Sequence, residues 1–598
     1  MFKKHLLLIL ALCIVAQFVS AQQFKIHSHN DYLQNVPFWS AYANELNSIE
    51  VDIFLKNDTL FVTHGEREII KDRTIENLYL QPIQRAMSLQ MGNPGELQLL
   101  VDIKSEPYST LKKLISILKK YPNIIDKKKI SIVISGNRPM TKEYINYPDY
   151  IRFDYQSLED IQNENTWNKV ALISLNFKKY SSWNGKGRLT ADDHKRVKGV
   201  IDKAHSYDKP FRFWGSPDSK TTWKAFRDLG VDLINTDLPY ASSSYLKTLD
   251  QRVYHNKIFS EVYTPTFESD QKNIPVSNVI LLIGDGNGLT QISSSVLGNG
   301  GNLTLTQLKS IGLLKTQSAD DFTTDSAAAG TALATGEKTN NRAIGVDTSG
   351  NPLINITELL NDRGFVSGCI TTDDITGATP SAFYAHRMDR SDTRGIISDL
   401  SKSKLSLIIG GAAETSEKKT AAMGFTILDS ANAIARSTEK RVALFISKDS
   451  VPSILEGRGA VLAEATKNGL AFLNAKNAPF FLMVEGAKID SYGHHNNVSG
   501  IVSEGIDFDR AITEAIKFAD AAGNTLVIVT ADHETSGFSM PQGNLENGMI
   551  EGDFTTKDHT GTMVPIFAYG PHSQEFQGVY ENNAVFGKIL KVLNIQNR

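Results

Sequence analysis

The sequence predicts an α/β protein in two parts: a (β/α)₈ barrel of the TIM type, then a helix-covered sheet whose strands are mostly parallel. Three observations carry this. The chain has 598 residues, more than a single hydrophobic core supports. Eight short apolar runs alternate with helix-like stretches in roughly its first 240 residues. Beyond residue 278, further strand-like runs are apolar at nearly every position, as in strands buried on both faces.

The N-terminus reads as a secretory leader. Lys3 and Lys4 form a positive region, an apolar run extends from Leu6 to about Val19, and Val19-Ser20-Ala21 supplies small residues for cleavage after Ala21. The run is short for a membrane span, and no span follows it. Leu12 before Cys13 is bulky for a lipoprotein signal. This predicts a secreted or periplasmic protein. Cleavage leaves Cys369 as the one cysteine, so no intrachain disulfide forms; its apolar setting reads as a buried, inert thiol. A net charge of −3 without a basic stripe argues against nucleic acid as a partner.

The barrel strands are read at 24–29, 48–55, 97–104, 129–135, 150–155, 171–177, 211–215 and 231–236, within a domain spanning 22–240. Stretches such as 109–120 and 195–207 are helix-like. Residues 241–275, with three consecutive serines and Pro265 and Pro275, read as a linker, helical at most at its start. The second domain, 276–598, has strands at 279–284, 365–371, 442–446, 479–484, 525–530 and 564–568, and a long amphipathic helix at 503–522. Ligand chemistry in such sheets lies at the carboxyl ends of strands.

Polar residues gather at those ends. Asp285 follows a strand between two glycines. Ser326, in Thr324-Asp325-Ser326, opens a small-residue helix, where backbone N–H groups favour phosphate. Taken alone it reads equally well as a plain helix cap. Glu485, Asp490 and His494 crowd one strand-to-helix connection; Asp532 and His533 end the next strand; His559 follows. Imidazoles with carboxylates make an ordinary zinc ligand set.

The segments Val279–Gly286, Thr324–Ala332, Ala378-Thr379-Pro380, Val484–Asp490, Thr530–Glu534 and His559-Thr560-Gly561 resemble the alkaline phosphatase family in order and spacing over nearly all of 276–597. The resemblance implies an alkaline-phosphatase-like α/β/α sandwich that hydrolyses phosphate monoesters through a phosphoserine on Ser326. It implies zinc held by Asp490, His494 and His559, a second zinc held by Asp285, Asp532 and His533, and magnesium held by Asp285, Thr379 and Glu485. It places Arg390 on the phosphate, oriented by Asp325. His495 falls outside the matched spacing and reads as a neighbour. Gly377 stands where many relatives carry Asp or His near the magnesium, and Ser491 where relatives often place Lys or His near the phosphate; these departures touch third-site affinity and pH optimum. A homo-oligomer is compatible with all of this.

In the first half, His29 and Asn30 end the first strand, Glu50 and Asp52 share a face of the second, His64 follows, and Asp102 lies on the third. Clustered acids suit calcium or magnesium, and two histidines suit acid and base roles. His27 and His29 share a face, so spacing alone does not decide between them. These motifs resemble the phosphatidylinositol phospholipase C-like phosphodiesterases, including the glycerophosphodiester phosphodiesterases, over about 24–240. The resemblance implies His29 and His64 as the acid/base pair, Asn30, Glu50, Asp52 and Asp102 around the metal, and glycerophosphodiesters or phosphoinositides as substrates. Trp214 and Lys104 read either as pocket lining or as ordinary packing and surface charge. Beside an active phosphodiesterase stands the reading of a barrel that only binds ligand.

Overall fold

A computed structural model describes residues 24–92, 97–125, 130–412, 423–447 and 450–596. The leader-like segment lies outside these residues. The chain forms two compact units that divide between Leu249 and Asp250. No helix among the described residues is long and apolar enough to cross a membrane.

In the first unit, eight parallel strands close on themselves. They are Lys25–Ser28, Ser48–Lys56, Leu97–Ile103, Ile130–Gly136, Ile151–Tyr155, Val170–Asn176, Phe211–Trp214 and Leu233–Thr236, with the first strand paired to both the second and the last. All eight predicted runs are barrel strands. One strand was not predicted: Thr59–Val62 folds back antiparallel on Ser48–Lys56. The reversal falls on Asn57 and Asp58, both in the left-handed region at φ 47° and 59°, as a two-residue hairpin turn whose twist matches the strands requires. This hairpin carries Thr63 and His64 back to the carboxyl end of the barrel.

The second unit is built on ten strands in the order Thr426–Leu428, Val442–Ser447, Leu405–Gly411, Val366–Asp374, Phe480–Gly486, Asn278–Gly284, Thr525–Ala531, Val564–Tyr569, Ser310–Lys315, Gly578–Glu581. Only Val564–Tyr569 runs against its neighbours. The central strands are apolar throughout because both faces are covered. Val279, Leu281 and Ile283 join one core and Ile280 and Leu282 the other.

The segment read as a linker is divided between the units. Pro239–Lys247 is a helix of the first unit, and Val253–His255 pairs with Met549–Asp553 in the second. Beyond it, Tyr263 Oη and Thr266 Oγ1 each donate to Asp520, at 2.8 Å, pinning this polar stretch to the long helix Val498–Ala522. That helix also holds a buried ion cluster: Arg458 donates to Glu504 at 2.6 Å and to Asp507 at 2.8 Å. Removing the guanidinium leaves two buried carboxylates with only the Ile454 amide on Glu504 and Arg510, 3.6 Å from Asp507, beside them. Arg458→Met is therefore expected to destabilise the second unit by about 3–5 kcal/mol, read as a lower denaturant midpoint for that unit.

Candidate active sites

In the second unit, the candidate ligands and Ser326 gather at the carboxyl edge of the sheet. Asp285 follows the strand Asn278–Gly284, Glu485 lies in Phe480–Gly486, and Asp532 and His533 follow Thr525–Ala531. Asp490 and His494 are one helical turn apart on Lys488–His494. His559 arrives on a two-residue strand paired to Glu534–Thr535. Gly286, at φ 65°, lets these pieces close: a Cβ there would stand 2.9 Å from the Asp490 backbone.

The orientation of the histidines is set by what their outer nitrogens touch. His494 Nδ1 lies 2.6 Å from the Lys557 carbonyl and His559 Nδ1 lies 2.9 Å from the Thr324 carbonyl. A carbonyl only accepts, so each Nδ1 carries the proton. Thr535 Oγ1 donates to Asp490 and so accepts from His533 Nδ1, 3.2 Å away. Each Nε2 is thus left facing inward. His494 and His559 Nε2 stand 3.2 Å apart, and His533 Nε2 lies 3.3 Å from both Asp285 Oδ1 and Asp532 Oδ2.

Two sets of ligand atoms lie mutually within 4.8 Å: Asp490, His494 and His559, and Asp285, Asp490 and His533. Asp490 thus borders both. Charge is in excess here. Burial, then repulsion from Asp532, Asp490 and Glu485, pushes Asp285 well above the carboxylate range. Burial and Asp490 raise Asp532 to about 6. Its hydrogen bond to Asp490 raises His494 to about 9, drawing a proton into the cluster. The buried oxygens Asp285 Oδ1, Asp532 Oδ2 and Thr379 Oγ1 make no hydrogen bond. Buried acceptors without donors and crowded carboxylates and imidazoles are what cations relieve, so this donor set fits metal binding.

Ser326 begins the buried helix Ser326–Thr335, and Asp325 caps it by accepting from Ala328 N at 3.0 Å. The cap belongs to Asp325, which leaves Ser326 Oγ to face the cluster, 3.3 Å from His533 Nε2. Arg390 Nη1 lies 3.2 Å from Asp325 Oδ2. Glu485 is 1 % exposed and accepts from Thr371 Oγ1. His495 bonds its own helix at Ser491 and stays exposed, outside both ligand sets. Cys369 is fully buried and its thiol is pushed above the usual range by burial, so it is inert.

In the barrel, Glu50, Asp52 and Asp102 bring carboxylate oxygens within 4.8 Å of one another. Gly136 makes room, since a Cβ there would overlap the Asp102 carboxylate. Glu50 and Asp102 line a cavity of about 520 Å³ together with His29, His64, Lys104 and Trp214. The two candidate histidines separate by depth. His27 is fully buried, with Nδ1 2.7 Å from Ser48 Oγ and Nε2 2.8 Å from Glu50 Oε2. Burial and the Arg212 charge lower it to about 3, so it is a neutral structural imidazole. His29 stands at the rim, with Nδ1 2.8 Å from Asp237 Oδ1 and Nε2 4.0 Å from Glu50 Oε1. His64 Nδ1 is 2.8 Å from Asp52 Oδ2. Asn30, at φ 46°, turns the chain there beside His29, whose Nδ1 is given to Asp237.

Two residues of this site escaped the sequence reading. Asp237 orients His29, and its signal was its place one residue past the last strand. Arg212 places a buried guanidinium 2.8 Å from Glu50 Oε2. Lys104 does more than line the pocket: its Nζ lies 3.3 Å from Asp52 and 3.0 Å from Asp102.

Comparisons with known proteins agree with this division. The alkaline phosphatase family matches residues 276–409, 433–549 and 547–595. An AIM6-like phosphodiesterase domain matches 17–94, and the glycerophosphoryl diester phosphodiesterase family matches 210–240. Those two stretches contain His29, Glu50, Asp52, His64, Arg212 and Asp237. Among relatives, streptomycin-6-phosphate phosphatase of Streptomyces griseus is 30% identical, over 54% of this chain and 91% of its own. Alkaline phosphatase 4 of Bacillus subtilis is 29% identical, over 54% and 90%. The alkaline phosphatase of the Antarctic bacterium TAB5 is 40% identical, over 54% of this chain and 100% of its own, with a TM-score of 0.51. A variant of that enzyme has been solved with magnesium in its M3 site. The chain is a phosphatase with a phosphodiesterase-like domain ahead of it, and it belongs to the alkaline phosphatase family.

Proposed function

We propose that this protein is a secreted or periplasmic phosphoesterase with two centres, in which Ser326 hydrolyses phosphate monoesters and the barrel cleaves phosphodiesters. The observation that carries the first centre is Ser326 Oγ lying 3.3 Å from His533 Nε2 beside the inward-facing carboxylates. Asp490, His494 and His559 would hold one zinc, Asp285, Asp532 and His533 a second, and Asp285, Thr379 and Glu485 a magnesium. Bound there, the cations supply Lewis acidity and a nucleophile at neutral pH.

The chain's own residues do the rest. Ser326 Oγ gives up its proton and attacks phosphorus in line. The new O–P bond forms as the bond to the leaving oxygen breaks, and that oxygen takes a proton. Water then cleaves the seryl–phosphorus bond, restoring the hydroxyl and releasing phosphate. Arg390 grips two phosphate oxygens, held in place by Asp325. Arg390→Ala is expected to lower kcat/KM for p-nitrophenyl phosphate roughly 10- to 100-fold and to weaken phosphate inhibition in parallel, since it removes a charge-assisted contact of about 1.5–3 kcal/mol. Chelation is expected to remove monoesterase activity, and zinc with magnesium to restore it.

In the barrel, His29 and His64 would exchange protons with the nucleophile and the leaving group of a glycerophosphodiester or phosphoinositide. Asn30, Glu50, Asp52 and Asp102 would surround calcium or magnesium. The product monoester is a substrate for Ser326, and tethering raises its local concentration there. Lys104 supports a second reading. By neutralising Asp52 and Asp102 with a side chain, it suits a barrel that binds a ligand without cleaving it. Diester hydrolysis by the Ser326→Ala protein discriminates: product monoester accumulates in the first reading and does not form in the second.

A further inference from the structure

Arg342 stands in the left-handed region at φ 73°, a conformation strained for a long side chain and open to glycine. Strain kept at one residue beside a site points to a use for its side chain. The turn at 340–343 closes with Ala343 N donating to the Asn340 carbonyl at 3.1 Å. It braces Asp325 from two sides. Asn341 Oδ1 accepts from Asp325 N at 2.8 Å, and Arg342 N donates to Asp325 Oδ1 at 3.1 Å. The other carboxylate oxygen, Asp325 Oδ2, is left to Arg390 Nη1 at 3.2 Å.

Arg342 also closes on the segment that carries Arg390. Its carbonyl accepts from Arg390 N at 2.8 Å, continuing an antiparallel pairing in which Ile344 and Arg387 exchange both backbone hydrogen bonds at 2.7 Å. Its Nε and Nη2 donate to the two oxygens of Asp389, at 2.9 and 2.8 Å, and Nη2 donates to Ser391 Oγ at 2.6 Å. Asp389 Oδ1 accepts from Ser391 N as well, at 2.8 Å. The residues on either side of Arg390 are thus fastened to one guanidinium, and the Arg390 amide to the same residue's carbonyl. A planar fork on both oxygens of a carboxylate fixes direction as well as distance. The Arg342 and Asp389 side chains are 53% and 50% exposed, and pairs so exposed add little to stability. Stability therefore does not account for the strain at 342, whereas the orientation of Arg390 does.

We infer that Arg342 is a positioning residue for phosphate capture: anchored on Asp389 and Ser391, it fixes the backbone of Arg390 so that the Arg390 guanidinium meets the phosphate from one direction. The inference rests on the reading of Arg390 as the phosphate grip given under the proposed function. Arg342 acts here through Arg390 and touches no substrate, since its Nε and Nη2 are both committed to Asp389. The competing role for Arg342 is a second, direct contact to the substrate, which would act whether or not Arg390 is present.

The test is a double-mutant cycle on the full-length protein supplied with zinc and magnesium, read as kcat/KM for p-nitrophenyl phosphate and as inhibition by inorganic phosphate. Arg342→Gly keeps the left-handed turn, relieves its strain and removes the clamp. It is expected to leave the unfolding temperature in place, to lower kcat/KM about 3- to 10-fold and to weaken phosphate inhibition by the same factor. In an Arg390→Ala background the same change is expected to cost less than about twofold, because the group it positions is gone. Asp389→Ala removes the clamp from the other side and is expected to match Arg342→Gly in both backgrounds. Arg342→Lys restores only part of the loss, since an ammonium does not take both oxygens of Asp389. An equal loss with and without Arg390, or full activity in both Arg342→Gly and Asp389→Ala, overturns the inference and leaves the Arg390 reading intact. Undiminished activity and phosphate inhibition in Arg390→Ala overturns that reading and this inference with it.

Discussion

Ser326→Ala is expected to lower kcat for p-nitrophenyl phosphate by at least about 10³-fold, with zinc content and unfolding temperature unchanged. The size of the effect follows from what is lost. The helix N-terminus, Arg390 and the carboxylates that would hold the cations all remain, so phosphate binding is kept. The oxygen that takes the phosphoryl group is gone, and no other hydroxyl has been placed to substitute. A loss of only a few-fold would mean that water attacks directly and that Ser326 is a cap after all. That outcome conflicts with the local geometry, in which Asp325 already caps the helix.

The second large effect lies in the barrel. In a Ser326→Ala background, His29→Ala is expected to lower cleavage of a glycerophosphodiester about 10²- to 10⁴-fold, the usual contribution of a positioned acid or base. Asp237→Asn is expected to act in the same direction more weakly, because it loosens the orientation of His29 without removing the imidazole. His27→Gln serves as the contrast. Its ring is enclosed by Ser48, Glu50 and Arg212, so it should cost stability more than turnover. Equal kinetic effects at 27 and 29 would contradict the assignment by depth.

Legibility followed burial and chain locality. The barrel strands could be read because each is a short apolar run between polar ends. Thr59–Val62 could not, since it follows the second strand after only Asn57 and Asp58 and so does not stand apart as a run of its own. In the second unit, Leu405–Gly411 ends in two glycines and Gly578–Glu581 starts with one and is half exposed, so neither reads clearly as a strand. The segment 241–275 looked like a linker because its composition is polar. Its anchors, Asp520 and Met549–Asp553, lie hundreds of residues away, and composition does not register them.

The same limit shaped the sites. The phosphatase cluster was legible because its candidate residues sit at strand ends or on the helix or turn just beyond them, within recognisable segments. Strand alternation placed His27 and His29 on one face but carried no information about depth along the barrel, which decides between rim and interior.

The most direct test of the account is to trap the enzyme during turnover of a phosphate monoester by acid quench and map the phosphorylated residue by peptide mass spectrometry. The account predicts phosphate on Ser326, in amounts that rise with substrate and vanish when the metals are removed. Phosphate on another residue, or steady turnover with Ser326 never modified, would contradict it.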